Sequence, residues 1–193
     1  MLTRLLAGTF AATKQKILDK AEVIARTVIS QQAFYSSKEC NKNHRQLLET
    51  MIGAAIWYLP TPAELYSGYT SVAALKQFAE AVDNTPIKLT KEHLYPRKVA
   101  ARELFELDWS VITEPYLKVQ KLYLEKYGRF NFVMPKENKW LMKHQKADIF
   151  VSPEHSYAQA GVELFEVSYV ALQTIRKGDQ ELARHLLSGG VEE

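Results

Sequence analysis

Two short stretches of this sequence set chemically able side chains beside apolar runs. The first is Ile-Lys-Leu-Thr-Lys-Glu-His-Leu-Tyr-Pro, residues 87–96, and the second runs from Arg129 to His144. In the first, Glu92 and His93 are adjacent. On an extended chain neighbouring side chains point to opposite faces, so one of the pair can grip a cation while the other faces a substrate. An imidazole titrates near neutral pH and is the usual group for taking a proton from water. A divalent ion held by oxygen ligands can bind a scissile phosphate and stabilise the leaving oxygen. Taken alone, a Glu-His pair is more often an ordinary surface or capping feature.

The second stretch adds to the first. Asn131 falls in the middle of the run Phe130–Met134, which has strand character, and Asn is disfavoured there. Asn138 follows in the first turns of an expected helix, also a poor place for Asn. A strand Asn can fix the loop carrying the histidine through backbone hydrogen bonds, and a helix residue can supply a second ligand. His144 competes with Asn138 for that role. It lies about 120° away round the helix, a direction that suits phosphate or solvent better. Lys136, Lys139, Lys143 and Lys146 recur at three- and four-residue steps and share a helix face. Lys91, Arg97, Lys98 and Arg102 flank the first stretch. Both groups suit phosphate contacts, and both read equally well as solvated faces.

These residues resemble the HNH, or ββα-metal, nuclease pattern: an acid or His, then His, often with Pro three residues on, an Asn on a second strand, and a His or Asn on the following helix. The match is Glu92 and His93 with Pro96, then Asn131, then Asn138, and it covers residues 87–146. The resemblance implies His93 as general base and Asn131 as the residue orienting the histidine loop. It implies Glu92 and Asn138 as ligands of a divalent metal ion, Mg²⁺ or in its place Mn²⁺, with His144 as the alternative to Asn138. Lys91, Arg97, Lys98, Arg102, Lys136, Lys139 and Lys143 become nucleic-acid contacts, DNA being the expected form. The sequence departs from the family in having Glu at 92, no paired cysteines, and a long interval between His93 and Asn131.

The elements that position these residues are mostly helices. Apolar residues at helical spacing predict one helix to about Ser30, with Ile17, Ala21, Ile24 and Val28 inward. A second runs over 42–59 with Leu47, Leu48, Met51, Ile52, Ala55, Ile56 and Leu59 inward, and with Gly53 allowing a close helix approach. Ser71 can cap a third, ending at Val82 before the break Asp83–Pro86. Strands are expected over 87–90 and 130–134. Helices follow over 96–107, 115–127, 135–147, 154–175 (weakened by Gly161) and on to Leu187. The expected fold class is mainly α: a helical domain with a small β-hairpin plus helix insert of ββα-metal type. The organisation is a single domain over residues 1–193. Within it, residues 1–85 are helical, 86–148 form the HNH-like segment with inserted helices, and 149–193 are C-terminal helices.

Bulk properties narrow the classes. Hydrophobic residues make up 47% of the 193, enough for a core, so wholesale disorder is excluded. The net charge is +3, but residues 86–148 carry 13 Lys and Arg against 8 Asp and Glu, so the basic surplus sits on the segment with the motif. A single cysteine, Cys40, excludes an intramolecular disulfide and a multi-cysteine zinc site. The apolar start is broken by Thr and Gly and reads as helix rather than signal, and no run is long enough to span a bilayer. A cytoplasmic setting and no membrane partner are therefore expected, with the N-terminal helices available for a homodimer. The aromatic residues read mostly as core or half-core, none as a stacking platform. The function expected is a metal-dependent endonuclease hydrolysing phosphodiester bonds. The alternative is a non-enzymatic helical module, binding protein or nucleic acid, in which Glu92, His93 and the asparagines only cap and brace.

Overall fold

The computed structural model describes residues 2–81 and 86–189, with side chains from Phe10 onward. Its elements run α1 (Leu2–Ser36), α2 (Lys42–Trp57), a 3₁₀ turn (Ala63–Leu65), β1 (Tyr66–Ser71), α3 (Val72–Ala79), β2 (Thr90–His93) and α4 (Arg97–Glu106). A second 3₁₀ turn (Trp109–Val111) leads to α5 (Pro115–Leu122), which widens into a π-helical stretch (Tyr123–Tyr127). Then come β3 (Phe130–Val133), α6 (Pro135–His144), α7 (Pro153–Ala160), β4 (Leu164–Glu166), α8 (Tyr169–Arg176) and α9 (Gln180–Leu187). The fold is mainly helical, as expected, with one small sheet of four strands. The chain resolves into two compact units, 1–65 with 95–129 and 66–94 with 130–193, so the 86–148 segment is shared between them.

The first unit is all helical. α1 packs against α5 and α2, and α2 against α4. Ile17, Ala21, Ile24 and Val28 turn inward as their spacing predicts. Asn41 caps α2, its side-chain oxygen accepting from the backbone N–H groups of Asn43 (2.9 Å) and His44 (3.0 Å). A Cβ on Gly53 would lie 2.8 Å from the Arg97 carbonyl oxygen, so only glycine lets α2 and α4 approach this closely. On α2 the expected face is only partly correct. Ile52, Ile56 and Leu59 are buried, whereas Leu47 and Met51 are 61% and 54% exposed.

The second unit is built on the sheet, in the order β2-β3-β1-β4. β3 pairs antiparallel with β2 and parallel with β1, and β1 pairs antiparallel with β4. β3 is central and buried along its whole length. The two strands expected to pair do so, but β2 lies at 90–93, three residues beyond the predicted 87–90. The long interval between them carries α4 and α5, which belong to the first unit. β1 and β4 were not predicted. The expected helix over 154–175 is α7, β4 and α8. Gly161 adopts φ +63°, a left-handed conformation that closes α7 and turns the chain into β4. Ser71, Ser152, Ser168 and Asp179 cap α3, α7, α8 and α9 through their side-chain oxygens. The predicted helix end at Val82 and the break over Asp83–Thr85 lie outside the described residues.

Candidate functional site

The polar residues singled out on β2 and β3 meet inside the second unit. Glu92 and Asn131 stand opposite each other in the antiparallel ladder. Both are buried, at 2% and 1% exposure. A strand places alternate side chains on one face, so Asn131 and Val133 share the face that α6 and α7 cover. Val133 packs there with Leu141 of α6 and with Tyr157 of α7.

The hydrogen bonds converge on Glu92. The Ser67 hydroxyl donates to Asn131 Oδ1, and Asn131 Nδ2 donates to the Tyr157 hydroxyl at 2.9 Å. Tyr157 donates to Glu92 Oε2, while the Gln145 amide, at the C-terminal cap of α6, donates to Glu92 Oε1. Three strands and two helix segments are tied together by this chain. Burial pushes the Glu92 carboxyl up to about 7, although the bonds from Gln145 and Tyr157 pull it the other way. The Tyr157 phenol is pushed well above its ordinary value, by burial first and then by Glu92.

A second buried acid secures the start of α6. Glu137 Oε2 accepts the Met134 backbone N–H at 2.8 Å and the Ser71 hydroxyl at 2.5 Å. Ser71 meanwhile accepts from Ala74 N–H at 3.3 Å, so one serine links the N-termini of α3 and α6.

Measured against the metal-site expectation, these groups are engaged elsewhere. Both Glu92 oxygens are hydrogen-bond acceptors already, and its carboxyl holds a proton more readily than a metal ligand should. Asn138 is half-buried, and its amide Nδ2 faces Met142 Sδ of the same helix at 3.9 Å. Asn131 spends its amide on Tyr157 and Ser67 rather than on the histidine loop. His144 is half-buried, and its backbone carbonyl accepts from Ser156 at 3.4 Å. Among the described residues no three or more His, Cys, Asp or Glu side chains gather as a metal site would require. The donor set fits Mg²⁺ or Mn²⁺ only if Glu92 leaves its present partners. His93 is half-buried, its ring 6.3 Å from that of Phe130, which is its register partner.

The basic candidates divide. Arg102, in the first unit, donates from Nε to the buried Glu49 at 3.2 Å and is a packing residue. Arg97 lies 5.1 Å from the Trp57 ring, and Lys98 is half-buried on α4. In the second unit, Lys91 Nζ sits 4.7 Å over Phe130. α6 carries Lys136, Lys139 and Lys143 exposed, with Lys146 just beyond its end. Lys136 Nζ is 5.1 Å from the centre of the Trp140 ring, and Trp140 is 37% exposed. Tyr157, Gln145 and Ser67 were missed, because nothing local marks a tyrosine in a short helix as the partner of a distant strand glutamate.

No helix among the described residues is long and apolar enough to cross a membrane. No protein-family model, curated protein or solved structure matches the chain, so any functional reading stands on this geometry.

Proposed function

We propose that the chain is a non-catalytic nucleic-acid-binding module that engages the phosphate backbone with the outer face of α6. One observation carries this reading. Lys136, Lys139 and Lys143 line an exposed helix face around Trp140, and among the described residues none of the three has a carboxylate partner. Unneutralised cations beside an open indole combine the two terms that hold single strands: phosphate attraction and base stacking. The buried Glu92–Tyr157–Asn131 chain supports the reading as a brace, since it anchors the end of α6 through Gln145.

The test is fluorescence anisotropy of labelled single- and double-stranded oligonucleotides across a salt series. Changing Lys136, Lys139 and Lys143 together to Gln should lower the slope of log affinity against log salt by about 2. An unchanged slope would remove α6 from the interface.

Metal-dependent hydrolysis is the second reading. It draws on the antiparallel β2–β3 pair, which sets Glu92 against Asn131, and on the helix that follows. A plasmid-nicking assay with Mg²⁺, Mn²⁺ and chelator decides it. Chelator-sensitive nicking that disappears in His93→Ala would favour hydrolysis, and no nicking by the wild type would discard it.

A further inference from the structure

The face of the sheet turned away from Glu92 has a different chemistry. Phe130 and Phe132 point there from β3, both buried, and the rings of Tyr66 and Tyr169 close around them. Two cations ride on this aromatic floor. Lys91 Nζ is 4.7 Å from the Phe130 ring, and the Arg176 guanidinium carbon is 5.4 Å from the Phe132 ring. The two are near enough that Arg176, after partial burial, holds the Lys91 ammonium below its ordinary pKa. Ring faces attract each cation, and the two like charges still repel one another across the floor.

A third donor lies on the same helix face. Tyr169, Gln173 and Arg176 of α8 follow at steps of four and three, which stacks them on one side, toward Phe132. Gln173 Nε2 is a buried amide nitrogen that has no hydrogen-bond partner among the described residues. A buried donor left unmade is unfavourable, and an anion with several oxygens that bridges the two cations would also satisfy it.

We infer that Lys91, Gln173 and Arg176 form a binding site for a phosphoryl-type oxyanion. The arginine offers paired donors, the lysine a point charge and the amide a directed N–H. The site lies on the opposite side of the sheet from α6 and does not depend on the α6 reading.

The probe is inorganic phosphate, titrated into the full chain at constant ionic strength against chloride, with the Gln173 side-chain amide followed by ¹H–¹⁵N NMR. A saturable shift of that resonance is expected. Arg176→Gln should weaken it at least tenfold, Arg176→Lys less, and the triple lysine-to-glutamine change on α6 should leave it as in the wild type. If Arg176→Gln does not keep the wild-type spectrum elsewhere, Lys91→Gln replaces it, with the same tenfold loss expected. No saturable shift, or wild-type affinity in whichever charge-removing variant folds, overturns the site. A competing single-stranded oligonucleotide identifies the source: displacement of phosphate assigns the site to a nucleic-acid backbone, and failure to displace it assigns the site to a small phosphorylated ligand.

Discussion

Each unit buries one glutamate within hydrogen-bond reach of a tyrosine, and the two are treated differently. In the first, Glu49 is 5% exposed and accepts from the Tyr35 hydroxyl at 2.9 Å and from Arg102 Nε at 3.2 Å. In the second, Glu92 is 2% exposed, and its partners, Tyr157 and Gln145, are both neutral. Burial of a carboxylate is unfavourable in either place, but among the described residues only Glu49 has a cation to offset it. The consequence shows on the surrounding groups. Tyr35 is pushed up to about 12, by burial first and then by Glu49, and Arg102 is held above its ordinary value by its bond to Glu49. Glu92, with no cation beside it among the described residues, is itself pushed up to about 7 by burial. A buried acid is therefore not a site in its own right. Its partners decide whether it is an ion pair or a proton holder.

Arg102→Leu leaves Glu49 buried without its cation and should cost about 3 kcal/mol in urea unfolding. A loss under about 0.5 kcal/mol would show that the pair is as weak as an ordinary surface bridge. Next is pH. An acid whose folded value is raised stabilises the fold fully below its unfolded pKa, near 4.3, and that contribution fades as pH climbs through about 7. Wild-type stability should therefore lose about 2 to 4 kcal/mol from Glu92 between roughly pH 4.5 and 7.5. Glu92→Gln should remove that decline and be the more stable protein at pH 8 by about 2 kcal/mol. Parallel pH profiles for the two would mean that Glu92 is ionised in the fold. Tyr157→Phe deletes the hydroxyl shared by Glu92 and Asn131 and should cost about 1 to 2 kcal/mol, measured by thermal unfolding with the reference taken at equal pH. Smallest of all, Leu47→Gln on the open face of α2 should change stability by less than about 0.5 kcal/mol. A loss of about 2 kcal/mol there would return Leu47 to the core that its spacing predicts.

Some of this arrangement was legible before folding and some was not. The serine at 71 and Asn41 act within three residues of themselves, so their capping needs only local sequence. Gly53 was legible as a close approach, though not its partner Arg97. On α2 the apolar spacing admits Leu47 and Met51, yet the helix turns so that Glu49 is buried. That rotation follows from where Tyr35 and Arg102 stand, and their positions are set by other helices. The four residues of β2 were misplaced by three because Lys-Glu-His carries no β propensity. Pairing with β3 makes the strand.

Most of the helices, the cap at Ser71, the breaks at proline, and the lysine ladder of α6 are written in the order of residues, because each is periodic or short-range. Folding in space was needed to bring Glu92 to Tyr157 and Gln145, to set Arg102 against Glu49, and to place Lys91 and Arg176 on one aromatic floor. Those partners lie dozens of residues apart. Hydrogen bonds and charge pairs act over a few ångströms of space, whatever the distance along the chain, so neighbours in space set the charge state and the role of each side chain.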